Sequence, residues 1–178
     1  NLHKEWNAVV IGDEPREKLF FKHKNLEIMG FQSHNKVLNV FKKTSIAVVC
    51  SRWEEPFGRT SLEASSRGCA VIISNKGGLP ETITNGVIIR NLNAKNVFNS
   101  ISNLIKNKKK RTNLQKLSLK NFYLTDYYIS KKIDLYREKL ISSFKHIVNN
   151  KNLKDIKLKV LHITNFNERH NGRLFYNT

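Results

Sequence analysis

Two carboxylates, Glu55 and Glu63, flank a glycine turn in the segment Trp53–Ala64, WEEPFGRTSLEA. Ionised carboxylates accept hydrogen bonds, so this pair suits hydroxyl groups at two points on one ligand. Between them, Gly58 permits a tight turn and a close approach of backbone to ligand, since no Cβ intervenes. The N–H groups of Arg59, Thr60 and Ser61 would then open a helix and offer a seat to phosphate oxygens. Glu63, near the end of that first turn, suits neutral hydroxyls such as those of a ribose rather than phosphate itself. A ligand with a sugar at each end and phosphates between fits the spacing. A structural reading stands beside it: Thr60-Ser61-Leu62-Glu63 is also an ordinary capping signature, with Glu63 favouring the helix N-terminus electrostatically.

The elements that must position these groups form a β-α-β unit. The apolar run Ile46–Cys50 reads as a buried strand, Leu62 and Ala64 belong to a short helix, and Gly68 leads into a second strand, Ala70–Ile73. The carboxylates therefore lie outside the carboxyl ends of the strands, where open α/β sheets bind ligands. A second loop, Ser74-Asn75-Lys76-Gly77-Gly78-Leu79-Pro80-Glu81, leaves the next strand on the same side. Gly77 and Gly78 are expected to expose N–H groups to an anion, and Pro80 with Glu81 suits the start of a short helix that aims them.

These pieces together resemble the GT4 (group 1) glycosyltransferases, specifically the C-terminal, nucleotide-sugar-binding half of a two-domain GT-B enzyme. The resemblance rests on the Glu-x7-Glu motif within EEPFGRTSLEA, on RGCAVIISNKGGLPETI, and on GFQSHNKVLNVFKKTSIAVVCSRW upstream, and it covers roughly residues 6–140. It implies a Rossmann-like parallel sheet, and transfer of a sugar with retention from a nucleoside diphosphate donor to an acceptor hydroxyl, with no cofactor besides that donor. It makes Glu55 the contact to the transferred sugar and Glu63 the ribose ligand. Phe57 and Gly58 shape the loop around sugar and diphosphate, the backbone of Arg59 and Thr60 binds phosphate, and Gly77 and Gly78 lie close by. Gly30 and Phe31, with Gln32, fall where the family runs its chain beside the base. The family's opening strand and helix, with their diphosphate-clamping arginine and lysine, are missing before Ala8–Gly12, and its glycine pair after the GGLPE loop is shortened to Asn85–Ile89.

Composition bounds the rest. A chain of 178 residues with 39% hydrophobic content can bury one core but hardly two full domains. Residues 1–148 read as the partial donor-binding domain with closing helices: one through Val97, Ile101 and Leu104 ending in the basic run Lys106–Arg111, a second around Leu114, Leu117, Leu119 and Phe122, and a third from Tyr127 to Val148. Residues 149–156 read as a polar linker, and 157–178, with a strand at Lys159–Thr164, resemble the start of a further GT-B domain. That strand is expected to pair with a sheet edge or with another copy of the chain. With the facing domain represented only by this tail, the 178-residue chain is expected to be inactive by itself.

Cys50 and Cys69 read as buried thiols in a reducing compartment, and the scattered histidines form no metal set. A cytoplasmic protein, peripheral at the inner face of a membrane, is the resulting expectation. The formal charge of +18 favours anionic partners such as an anionic membrane surface, and the family resemblance implies a glycan or lipid-linked acceptor there. The competing reading is a basic nucleic-acid-binding or non-catalytic interaction module. No zinc finger, aromatic RNA-binding motif or KH-type loop accompanies the charge, so no specific nucleic-acid partner is expected.

Overall fold

The computed structural model describes residues 4–12 and 21–150, with side chains described as far as Phe144. The strand expected at Lys159–Thr164, and with it the proposed self-association edge, lies outside the described residues. The chain divides into two compact units, residues 1–129 and 130–178.

In the first unit, strands and helices alternate. Strands β1 (Ala8–Ile11) and β2 (Leu26–Gly30) pair in parallel, and helix α1 (His34–Phe41) follows. Then come β3 (Ile46–Val49), α2 (Arg59–Ser66), β4 (Ala70–Ser74), a 3₁₀ turn (Leu79–Thr82) and β5 (Gly86–Ile89). Strands β3, β4 and β5 form a parallel ladder in that order, with Ile46 opposite Ala70 and Val71 opposite Gly86. The expected parallel sheet is thus present, as two ladders rather than one.

The central strand β4 carries the core because all five of its residues, Ala-Val-Ile-Ile-Ser, are buried. Side chains alternate across a strand, so the same run serves both faces. Val71 and Ile73 pack with Phe41, Ala47, Ala64, Cys69 and Leu79 on one face. Ala70 and Ile72 pack with Ile89 and Leu104, flanked by Val97, Ile101 and Leu114, on the other. Each fully buried isoleucine contributes about 1.5–3 kcal/mol relative to exposure. On the first face α2 turns Ser61, Ala64 and Ser65 inward, and such small side chains let a helix sit close to a sheet.

Helices α3 (Ala94–Lys106) and α4 (Lys108–Lys120) complete the second face, and α5 (Asp126–Asn150) leads into the second unit, ending two residues beyond Val148. The basic run does not end one helix, as expected: α3 stops at Lys106, and Lys108–Arg111 open α4. Asn107 explains the break, since its side chain accepts the Lys110 amide at 2.9 Å and so caps α4. Arg111 reaches back to donate to the carbonyls of Leu104 (2.7 Å) and Ile105 (3.1 Å), satisfying the end of α3.

The cysteines separate. Cys69 is buried, donates to the Phe41 carbonyl at 3.4 Å, and burial pushes its thiol up to about 11. Cys50, expected in the core, is exposed, because β3 ends at Val49 and the chain turns outward into the loop. Among the described residues no helix is long and apolar enough to cross a membrane.

Candidate functional site

The two loops leave adjacent parallel strands, and one hydroxyl holds their roots together. Ser74, the last residue of β4, accepts the Ser51 amide at 2.8 Å and donates to the Ser51 carbonyl at 2.9 Å. This two-way bond continues the β3–β4 pairing past the point where the backbones diverge. The loops 50–58 and 75–78 therefore start from a fixed spacing.

Farther out, Glu54 closes one loop onto the other. Its Oε1 accepts the Lys76 ammonium at 2.8 Å and its Oε2 the Gly77 amide at 2.7 Å, while the Gly78 amide donates to the Glu55 carbonyl at 2.6 Å. Lys76 first, and the Gly77 amide second, hold the Glu54 carboxyl below its ordinary range. The contact requires glycine: a Cβ on Gly77, whose φ is +50°, would stand 2.2 Å from the Glu55 carbonyl oxygen. This corrects one expectation. The Gly77 and Gly78 amides join the loops and do not face outward to an anion, because carboxylate and carbonyl acceptors from residues 54 and 55 already take them.

The helix start is built on Gly58. Its φ of +86° is a left-handed conformation, and a Cβ there would meet Leu79 Cδ2 at 2.5 Å. Ser61 turns inward, its hydroxyl 2.7 Å from the Gly58 carbonyl and sharing a 2.5 Å hydrogen bond with Thr82 of the 3₁₀ turn. Thr82 Oγ1 in turn lies 2.7 Å from the Leu79 carbonyl; one hydroxyl of the pair donates to the other, which donates to its own carbonyl, so α2 and the glycine loop's far end are pinned to each other. The capping signature is not used: Gly58 is the N-cap, no side chain caps the helix, and Glu63 lies beyond its first turn. The amides of Arg59 and Thr60, ahead of the first intrahelical bond, donate to no protein acceptor among the described residues. They leave an N-terminus open to an anion.

Glu63 meets a partner that no spacing rule indicated. Its Oε1 lies 3.0 Å from His34 Nε2 and 3.6 Å from the Arg59 guanidinium. His34 is the first residue of α1, immediately after the turn that carries Gly30 and Phe31. Gly30, at φ +62°, accepts the Gly12 amide at 2.9 Å, Gln32 donates to the Met29 carbonyl at 2.6 Å, and the Phe31 side chain stands exposed. The structure thus joins the Gly30–His34 turn to α2. The Glu55 carboxylate makes no hydrogen bond or ion pair with protein among the described residues, and Phe57, two residues on, is exposed.

Residues 1–120 match the sequence model of the family described as glycosyl transferases group 1. The chain belongs to that family. Among curated proteins, spore coat protein SA of Bacillus subtilis is 34% identical over 98 residues that cover 53% of this chain and 26% of that protein. Glycogen synthase of Mycobacterium tuberculosis is 37% identical over 68 residues, 36% of this chain and 16% of the enzyme. The chain therefore spans about a quarter or less of the curated relatives it matches.

Among solved structures, Anabaena HepE in complex with UDP superimposes with a TM-score of 0.57 at 19% identity, over 76% of this chain and 42% of that one. HepE with UDP-glucose gives 0.55 at 19% identity, over 74% and 41%. At that identity the likeness speaks for the fold, and the fold is a GT-B-like Rossmann half-domain.

Four polar residues that build this candidate site went unassigned in the sequence: His34, Glu54, Ser74 and Thr82. Ser74 had a visible signal, since a hydroxyl that closes an otherwise apolar buried strand needs a partner. Glu54 adjoins the Glu55 of the motif, and nothing in its spacing separates it from a solvated surface charge. His34 and Thr82 act across 29 and 21 residues, beyond any local pattern.

Proposed function

We propose that this chain is the C-terminal, nucleotide-sugar-binding domain of a retaining GT-B glycosyltransferase. The observation that carries the reading is the N-terminus of α2: the free Arg59 and Thr60 amides lie between Glu55, whose carboxylate has no protein partner among the described residues, and Glu63. A nucleoside diphosphate sugar places its anionic phosphates between two hydroxyl-rich ends, which is the complementary pattern. HepE, of the same fold, has been crystallised with UDP and with UDP-glucose.

In this reading the diphosphate sits on the helix N-terminus, and the amides and helix dipole stabilise charge as the bond from the anomeric carbon to the phosphate oxygen breaks. The nucleoside diphosphate leaves with the electron pair, and the acceptor hydroxyl forms the new bond on the same face of the sugar while giving its proton to the departing phosphate oxygen. Glu63 accepts from the ribose hydroxyls, Glu55 from hydroxyls of the transferred sugar, and neither is a nucleophile. Phe57 and Gly58 shape the loop about the sugar, and Gly30 and Phe31 run beside the base. Gly77 and Gly78 act by keeping their loop close and fixing the backbone of Glu55, not by donating to phosphate.

The acceptor side lies elsewhere in the protein. A glycan or lipid-linked acceptor of the cell envelope, met from the cytoplasmic side at an anionic membrane surface, suits a chain of formal charge +18. The domain limits proposed are 1–148 for donor binding, 149–156 for a linker and 157–178 for the start of a further GT-B domain. The 178-residue chain alone would bind donor without turning it over, since positioning of the acceptor needs the facing domain.

A mass-spectrometric donor screen on the intact protein and on the 178-residue chain tests this. Sugar transfer by the intact protein with nucleotide binding retained in the chain supports the proposal. Efficient transfer by the chain alone overturns the division of labour, and no transfer by the intact protein with any nucleotide sugar overturns the activity.

A further inference from the structure

We propose that His34 is the positioning residue for Glu63, fixing which carboxylate oxygen faces the nucleotide and so setting the site's preference for ribo- over deoxyribonucleotides. The inference rests on the reading of Glu63 as the ribose ligand.

Both protein contacts converge on one atom: His34 Nε2 hydrogen-bonds Glu63 Oε1 at 3.0 Å, and the Arg59 guanidinium forms an ion pair with the same oxygen at 3.6 Å. An ionised carboxylate only accepts, so His34 Nε2 carries the hydrogen and donates it. Oε2 has no protein donor among the described residues. It retains its acceptor capacity for hydroxyls of a ligand. The burial pattern agrees, since the Glu63 side chain is only 18% exposed while that of His34 is 58% exposed at the rim.

The tether has a rigid root. His34 opens α1 within its first turn, which the Val37 amide closes by donating to the Ser33 carbonyl at 3.0 Å, and Gly30 ends β2. Glu63 rides on α2, which Ser61 pins to Thr82. The histidine therefore bridges two elements that already share one core cluster through Phe41 and Ala64, and it removes side-chain freedom from Glu63 before ligand arrives. Such pre-ordering raises affinity for any group that Oε2 must meet at a defined angle. Vicinal ribose hydroxyls are such a group, and a 2′-deoxyribose presents one fewer. Arg59 makes the longer contact and lies on the same helix as Glu63, so it cannot fix α1 against α2.

The test is calorimetry of the intact protein with UDP and GDP and with their 2′-deoxy counterparts, for wild type, H34A, H34Q and E63A. Fold is checked by circular dichroism. For whichever ribonucleotide binds, H34A is expected to weaken binding about five- to tenfold, the scale of one lost hydrogen bond. It should change 2′-deoxy binding less than twofold, so that the ribo/deoxy ratio falls. H34Q, which keeps an N–H donor on a side chain of similar reach, should restore most of the ratio. E63A should remove the preference altogether. If E63A collapses the ratio and H34A leaves it at the wild-type value, the role of His34 is overturned and the ribose role of Glu63 stands. If E63A leaves the ratio unchanged, the reading of Glu63 fails and the proposal fails with it.

Discussion

Glu54 holds Gly77: the carboxylate accepts the glycine amide at 2.7 Å across the gap between the two loops, and Lys76 closes the same carboxylate at 2.8 Å from the other side. The neighbouring residue is Glu55, whose carbonyl takes the Gly78 amide. The clamp therefore fixes the backbone of the residue assigned to the transferred sugar.

The bond is acid-sensitive in a defined direction. Lys76 and the Gly77 amide lower the folded-state pKa of Glu54, so the clamp contributes stability above the ordinary carboxylate value and loses it as pH falls through the lowered one. The Gly77 amide proton, followed by NMR through an acid titration, should report a midpoint below that of an unperturbed glutamate. The transition should be absent in E54Q.

Gly77→Ala should be costly for a backbone reason. The added Cβ would meet the Glu55 carbonyl oxygen and nitrogen at 2.2 and 2.6 Å, in a conformation already unfavourable to L side chains. A loss of at least about 1–3 kcal/mol is expected in denaturant unfolding, the scale of a strained residue that persists only under constraint. Turnover should fall with it, because relief of the clash moves Glu55.

The buried hydroxyl pair gives a test of how α2 is held. Ser61 and Thr82 share a hydrogen bond inside the core, in which one hydroxyl donates to the other and the accepting one donates to its own nearby carbonyl. Ser61→Ala and Thr82→Val should each destabilise by about 0.5–1.5 kcal/mol. In a double-mutant cycle the pair should be non-additive, since the two share one bond.

Cysteine reactivity should split. Cys50 is exposed and Cys69 is buried, with its thiol pushed up to about 11. Partial desolvation also raises the Cys50 thiol, so labelling calls for mildly alkaline conditions. Iodoacetamide under native conditions should modify Cys50 and spare Cys69 until the protein is unfolded, as read by peptide mass mapping.

The strands and the start of α2 were legible because they rest on short-range patterns. The apolar run of β4, bounded by Gly68 and the Gly77-Gly78 pair, announced a buried parallel strand. The glycine turn before Arg59 announced the start of α2. What escaped were contacts whose partners are far apart in sequence. Glu63 reads as a helix-start charge until α1 brings His34 beside it, and Gly77 reads as an open amide until Glu54 folds over it. The break at Asn107 escaped for another reason: four successive cations at a helix N-terminus oppose the helix dipole, and the Asn107 cap and the bonds of Arg111 to α3 offset that cost. Cys50 was misplaced by one residue of strand length, which is enough to move a side chain from core to rim.

The central claim is that Glu63 and Glu55 divide the donor between them, one holding the nucleotide and the other the transferred sugar. The most direct measurement is nucleotide affinity by calorimetry with UDP and GDP, paired with donor turnover, in wild type, E63A and E55A of the intact protein. E63A should lose about 1.5–3 kcal/mol of nucleotide binding for each charge-assisted bond removed. E55A should bind nucleotide as wild type does and lose turnover. Nucleotide affinity and turnover unchanged in both variants would contradict the account.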